Sequence, residues 1–454
     1  MASNQPHILI VGGAYGGLSA LNTLIALSSG KPLPEARKGG PPPGPGGQRG
    51  PPPPAFAPLP EISRALRTKP RYTIIDQRDG FYHTVGAPLG TISSSFTKNM
   101  WARYAEIDPQ RFSGEDVRFI QASATGLDLE KKTLKYSKDS AEEKSISYDY
   151  LVLGTGMRRG GPVVPQSTDK ADALEESDRY EASLGKAEKI VLVGGGAVGI
   201  EMSAETKLHF PNSSVVLVQS RDALLAAEPL PAEYKAKALD LVHEAGVEVK
   251  LGNRVLAEKS IRELGRDRIE LTLSGGEIIR CDKVIYTATQ KGANTGFLSR
   301  DLVDEKGCVR TRETLQFPTT SPNADFHFAV GDIVSGPGIK RSGPAQNSGK
   351  VAATNIVKLL LAAEENEPAT GLATVQYGAP TMSLAVGTQA MTIRGGGLRW
   401  GKEVRDRAFG PDLGAKGTLE KLGLTKMVTR TDPLEDAVRL DRGKGEVVPV
   451  VANM

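Results

Sequence analysis

Cysteine is scarce in this chain: its 454 residues contain two, Cys281 and Cys308. They do not form a C-x-x-C pair and allow at most one bridge, so a disulfide-built fold is excluded. Long apolar runs are also missing. "IVKLLLAA" at 356–363 falls far short of the ~20 residues that a membrane-spanning helix needs. No Arg-rich amphipathic presequence or signal-peptide core precedes the first strand, and Ala2 stands where N-myristoylation needs glycine. A cytoplasmic location is the expectation, with peripheral membrane or mitochondrial association left open. Charge is balanced, with 57 Lys and Arg against 53 Asp and Glu, and no basic stripe is interleaved with aromatics. Nucleic acid is therefore not expected as a partner, and no metal site is expected.

Glycine and proline, by contrast, are plentiful, at 51 and 30 residues. Much of the proline lies in one low-complexity run at 29–60, "SGKPLPEARKGGPPPGPGGQRGPPPPAFAPLP". Proline has no N–H and glycine is entropically loose, so neither a helix nor a ladder fits here. The run reads as a disordered insertion. A docking ligand for a partner domain and retained non-coding sequence are the alternatives.

The glycines fall at strand-to-helix corners. "ILIVGGAYGGLSAL" at 8–21 is an apolar strand, a glycine turn (Gly12, Gly13, Ala14, Tyr15, Gly16, Gly17) and a helical pattern. "IVLVGGGAVGIEMSAE" at 190–205 repeats this with a full G-x-G-x-x-G on Gly194, Gly196 and Gly199. Such turns let backbone N–H groups at a helix start face a pyrophosphate, though glycine also serves packing there. Each block is followed by an apolar strand, "YTIID" ending at Asp76 and "SVVLVQ" ending at Gln219. Each then has a meander, read over "VRFIQASATGLDLEKKTLKYS" and "VEVKLGNRVLAEKSIRELGRDRIELTLSGGEIIRCD". A closing strand and small-residue turn complete each unit: "YDYLVLGTG", with Thr155 and Gly156, and "DKVIYTATQKGANT". The chain is a duplication of one α/β plan.

A third motif follows, the strand "FHFAVGDIVSGP" with Gly331-Asp332, ahead of the helical "GPAQNSGKVAATNIVKLLLAA". This order of motifs resembles the two-dinucleotide flavoproteins of the pyridine nucleotide-disulfide oxidoreductase family. Within that family it is similar to the apoptosis-inducing-factor-like branch, which includes ferroptosis suppressors and type II NADH dehydrogenases, in a fungal-looking form. The resemblance covers about residues 7–375. It implies an α/β fold with two Rossmann-like dinucleotide-binding domains and a smaller C-terminal α+β region. The expected boundaries are 1–165 and 299–375 for FAD, 166–298 for NAD(P)H, and 376–454 for an interface or cap.

The resemblance also implies roles. The first glycine turn would hold the FAD pyrophosphate, Asp76 the adenosine ribose, and Arg78 the adenine or phosphates. Ala124 would meet adenine through its backbone, and Asp332 would hold the ribityl chain unless it only caps a helix. The second turn would bind NADH or NADPH. Glu201 would lie beside the nicotinamide, or serve only as a first-turn acid. Gln219 leaves the second ribose without a carboxylate, and Arg221 would favour a 2′-phosphate or be a plain surface charge. His83, in "DGFYHTVGAPLG", would lend a proton or simply be packed. Lys340, in "GPGIKRSGP", would stabilise negative charge or be a surface lysine. Ala14 departs from the family glycine, as do Gln290 and Ala293 from its glycine and proline.

Neither glycine-turn helix carries the cysteine pair that disulfide reductases place at the flavin. A quinone-like small acceptor is therefore expected for the electrons. The alternatives are a pathway-specific oxidoreductase acting on a secondary metabolite and a flavin-binding, apoptosis-related interaction protein. Past residue 376, "TMSLAVGTQAMTIRGGGLRWG" reads as a hairpin with Trp400 suited to an interface or, by preference, to the core, and "KGTLEKLGLTKM" as a short amphipathic helix. Oligomeric state is left open.

Overall fold

The computed structural model describes residues 5–33, 58–62, 64–107, 109–138, 142–288, 290–378, 380–394 and 397–424. Most of the expected insertion, 34–57, and the chain past 424 lie outside the described residues. The helices in chain order are α1 (Tyr15–Ser28), α2 (Ala87–Ile92), α3 (Ser94–Met100), α4 (Lys170–Leu184), α5 (Ala197–His209), α6 (Ala232–Glu244), α7 (Ser342–Glu365), α8 (Lys402–Ala408) and α9 (Ala415–Leu422). No helix among the described residues is long and apolar enough to cross a membrane.

Two parallel sheets organise the chain. The first runs His327–Ala329, Tyr150–Leu153, His7–Val11, Arg71–Asp76, Asp116–Gln121. Its central strand, "HILIV", is buried at every position, as a parallel strand covered on both faces must be. The second sheet runs Glu248–Lys250, Ser214–Val218, Lys189–Val193, Lys283–Tyr286. In both, the strand before the glycine turn lies between the strand that follows its helix and the strand that follows a three-stranded antiparallel meander. The duplication read from sequence is thus a duplication of topology.

Register explains the glycines. Val11 pairs with Ile75 on one side and Leu153 on the other, which brings Gly12 level with Asp76 and Gly154. Val193 pairs with Val218 and Tyr286, which brings Gly194 level with Gln219 and Thr287. Both glycines take left-handed φ, +105° and +120°. α7 crosses α1 so closely that a side-chain carbon on Gly349 would run into the Gly16 carbonyl. The strand His327–Ala329 and α7 therefore return the chain to the first unit.

Three expectations need correction. "VRFIQ" and "VEVK" do not begin the meanders; they are the edge strands Asp116–Gln121 and Glu248–Lys250 of the parallel sheets. Their half-exposed alternation matches an antiparallel pattern because a sheet edge also has one wet side. The C-terminal hairpin has a third strand: Met382–Val386, Gln389–Arg394 and Gly397–Gly401 pair in that order. Trp400 sits on its edge strand, 48% exposed, rather than in the core. Lys237 Nζ stands 4.9 Å from the centre of its ring.

Candidate functional site

At the first corner, Gly12 N–H donates to Ile75 O at 2.7 Å, and a side-chain carbon on Gly12 would strike Gly154 O. One on Gly17 would strike Gly12 O. Gly13 N–H donates to Asp76 Oδ2 at 2.6 Å, while Arg78 N–H donates to Asp76 Oδ1 at 2.8 Å. Burial pushes the Asp76 carboxyl up, opposed by the Arg78 and Gly13 N–H groups and the Arg78 charge. Tyr104 O–H donates to Gly13 O at 2.6 Å and its ring stacks on Phe119, so a tyrosine seals the outer side of this turn. Sequence reading missed Tyr104, and nothing local marks it. Ala14 is the N-cap of α1, and its carbonyl accepts from Leu18 N–H at 2.9 Å.

The second corner repeats the plan with different chemistry. Gly194 N–H donates to Val218 O at 2.9 Å. Gly195 N–H donates to Gln219 Oε1 at 3.1 Å, so Gln219 takes the place that Asp76 holds in the first unit. Its other end, Nε2, donates to Ala223 O at 3.0 Å. Gly199 is packed against Gly194 O, whereas a carbon added to Gly196 would meet nothing within 4 Å. Arg221 is exposed, and its side chain has no partner among the described residues.

These corners fit dinucleotides on observations of their own. The open side of Gly196 is a cradle next to the N-terminus of α5. At the first corner, Arg78 Nε is buried and has no hydrogen-bond partner, an orphan donor that an FAD group would satisfy. The Arg78 guanidinium lies 5.8 Å from the Trp101 ring centre, and its NH2 donates to Pro165 O at 3.4 Å. Ala124 is half-buried on the strand Ser123–Asp128, two residues after Ala122, whose N–H donates to Asp76 O at 2.8 Å. Thr155 Oγ1 donates to Asn294 O at 2.7 Å and Asn294 N–H to Gly156 O at 2.9 Å, joining the "GTG" and "ANT" turns. Gly156 (φ +67°) leaves open space.

Beside Tyr15, the first residue of α1, His83 is 2% exposed. Its Nε2 lies 3.0 Å from Leu413 O, which only accepts, so Nε2 carries the proton. Burial pushes the imidazole pKa down, and Nδ1 of the neutral ring accepts from Tyr15 O–H at 3.0 Å. Val85 N–H donates to Tyr15 Oη at 3.3 Å, and burial pushes the phenol up to about 12. Asp332 follows Gly331 in a short 3-10 turn. Burial raises its pKa, opposed by the Arg159 and then the Lys340 charge. Lys340 Nζ donates to Val334 O at 2.5 Å.

Glu201 lies in the second turn of α5, so it is not the first-turn acid of the alternative reading, and it meets the C-terminal hairpin. Ala385 N–H donates to Glu201 Oε1 at 3.3 Å, and burial pushes the carboxyl up to about 8, with Glu205 adding to the rise. One turn on, Glu205 is 1% exposed and is paired with Arg405 of α8 at 2.8 Å. Arg405 was not foreseen either.

The family description pyridine nucleotide-disulphide oxidoreductase matches residues 53–353. The oxidoreductase OXR1 of Ajellomyces capsulatus is 35% identical over 90% of this chain and 85% of its own length. Ferroptosis suppressor protein 1 of Xenopus tropicalis is 26% identical over 70% of this chain and 80% of its own. Among solved structures, reduced CoADR-RHD of Bacillus anthracis superposes with a TM-score of 0.59 at 17% identity, covering 86% of this chain and 61% of that one. The chain belongs to the pyridine nucleotide-disulphide oxidoreductase family, whose members use FAD and NAD(P)H.

Proposed function

We propose that the chain oxidises NAD(P)H with bound FAD and passes the electrons to a quinone or similar small acceptor, without a redox-active disulfide. The observation that carries this reading is the state of the two cysteines. Both are free thiols and buried, Cys281 within a meander strand and Cys308 ahead of Val309. Burial pushes Cys281 up to about 11 and raises Cys308 as well, so neither is a ready thiolate. The net reaction is NAD(P)H + H+ + quinone giving NAD(P)+ + hydroquinone: two electrons and two protons reach the acceptor.

FAD, when bound, supplies two-electron chemistry that lets donor and acceptor react in turn. Residues 1–165 and 299–375 would hold it, 166–298 would hold the coenzyme, and 376–454 would serve as an interface or cap. Gly12, Gly13, Ala14, Gly16 and Gly17 present the α1 terminus to its phosphates, with Asp76 bracing the turn and Arg78 Nε donating. Asp332 orients the ribityl chain. Gly194, Gly196 and Gly199 do for the coenzyme what the first turn does for FAD. Glu201, protonated at neutral pH, offers an O–H on this face. The Tyr15 hydroxyl, held by His83 Nδ1, is the proton-bearing group beside the first turn, and Lys340 supplies positive charge near Asp332.

The test is spectral. Purified protein should be yellow, bleach under anaerobic NADH or NADPH, and regain colour when a quinone is added. A colourless protein, or colour that quinone does not restore, would overturn the reading.

A further inference from the structure

Lys340 and Arg341, where α7 begins, and Arg394 of the C-terminal hairpin are three cations without an ion pair among the described residues. Lys340 and Arg341 are the two residues before α7, with Arg341 as its N-cap. Arg341 NH1 donates to Thr381 Oγ1 at 2.5 Å, which draws the guanidinium onto the C-terminal hairpin. The register of that hairpin pairs Met382 with Ile393, so the next position places Arg394 across from Thr381. Burial, and then the Arg394 charge, lower the Arg341 pKa, as expected for neighbouring like charges. Lys340 reaches Val334 O, back toward the Gly331–Ile333 turn, and its charge acts on Asp332.

Several cations elsewhere in the chain are held in ion pairs, such as Arg405 with Glu205, Arg64 with Glu364 and Glu365, and Lys250 with Glu248 and Glu277. Among the described residues, Lys340, Arg341 and Arg394 have no ion pair. Two neighbouring guanidiniums without a counter-charge repel each other, and the repulsion is relieved when an anion binds between them. The cluster spans the flavin half, through the Asp332 turn, and the C-terminal hairpin.

We propose that Lys340, Arg341 and Arg394 form the docking site for an anionic group on the electron acceptor, so that the acceptor is a quinone or similar ring carrying a carboxylate or sulfonate. This rests on the reading of the chain as an NAD(P)H:acceptor flavoenzyme and adds the charge of the acceptor. The electron balance is that given above; the anionic group is bound and does not react.

The test uses the flavin-loaded full chain with two probes, 1,4-naphthoquinone-2-sulfonate and uncharged 2-methyl-1,4-naphthoquinone. The quantity read is the ratio of kcat/KM for the sulfonated over the uncharged quinone, in which variant-wide effects cancel. Arg394 is exposed, so Arg394→Gln should fold. That ratio should fall at least about fivefold in Arg394→Gln, stay near parent in Arg394→Lys, and fall with added salt in the parent. A ratio unchanged in Arg394→Gln overturns the proposal. So does loss of flavin from that variant, which would assign the cations to the cofactor. If neither quinone is reduced by protein that NAD(P)H bleaches, the functional reading itself fails.

Discussion

The Gln219 side chain closes on Gly195, its Oε1 accepting the Gly195 N–H at 3.1 Å while its Nε2 is held by Ala223 O. Both ends of the amide are thus engaged within the protein. No carboxylate stands here to accept from both hydroxyls of an adenosine ribose or to repel a 2′-phosphate, and Arg221 stands exposed two residues on. NADPH should therefore be used at least as well as NADH. Arg221→Ala should cost NADPH about 1–3 kcal/mol in kcat/KM and NADH less. Gln219→Glu should shift preference to NADH, because a carboxylate cannot donate to Ala223 O and would turn its free oxygen to the cradle. Steady-state kinetics with both coenzymes check this; a parent that strongly prefers NADH, with neither variant moving the ratio, would contradict it.

Gly196 offers a cleaner separation of the two sites. The space beside it is empty of protein, so Gly196→Val should fold with its melting temperature within a few degrees of parent, whereas Gly194→Val, at φ +120° and against Thr287, should not. The valine methyls would occupy the pyrophosphate cradle. Flavin content should stay at the parent level while bleaching by NAD(P)H is lost. Loss of both would place flavin, not coenzyme, at the second turn.

Removing the proline-rich run should matter little. The chain on either side of it is already joined: Leu66 N–H donates to Ser28 O at 3.1 Å, and Arg64 is paired with Glu364 and Glu365 at the end of α7. Loop-closure entropy changes by only about 0.6 kcal/mol per doubling of loop length. Deleting residues 34–57 should leave flavin content and the melting temperature close to parent. A melting point more than about 10 °C lower would show that the run contributes packing.

Much of this architecture is legible in the sequence because the signals are local. A strand, a turn glycine and a helix start lie within a dozen residues, and their repetition at 190–205 and again before Asp332 fixes the order of parts. What is not legible is what closes the site. Tyr104 reaches Gly13 across 91 residues, Arg405 reaches Glu205 across 200, and His83 reaches Leu413 across 330. No periodicity encodes such pairs, since each arises only when separate layers pack. Trp400 was misplaced for a related reason: an aromatic residue on an alternating strand is inward or outward according to which strand ends at the edge.

The Arg405–Glu205 pair is buried on both sides, with 11% and 1% of each side chain exposed. Arg405→Ala would leave the Glu205 charge unpaired in the interior. A loss of about 3–5 kcal/mol is expected, read by urea unfolding. The double variant Glu205→Gln, Arg405→Met should recover most of it, because the cost comes from the stranded charge. A single variant as stable as the parent would show that water reaches Glu205 in solution.

Glu201 gives a pH dependence of definite sign. Its ordinary value is 4.5 and burial holds it at about 8 in the folded chain, so the folded state binds a proton that the unfolded state has released. A raised pKa contributes stability that is complete below the unfolded value and is lost as pH rises to the folded one. Stability should therefore decline between about pH 4.5 and 8 by on the order of a few kcal/mol from this group, and level off above that range. Glu201→Gln keeps an acceptor for Ala385 N–H and removes the titration. The variant should match the parent near pH 5, exceed it at pH 8.5, and show a flatter profile between, as melting temperatures across that range would report. If parent and variant decline in parallel, Glu201 is ionised in the folded chain, and Arg405, not burial, governs its charge.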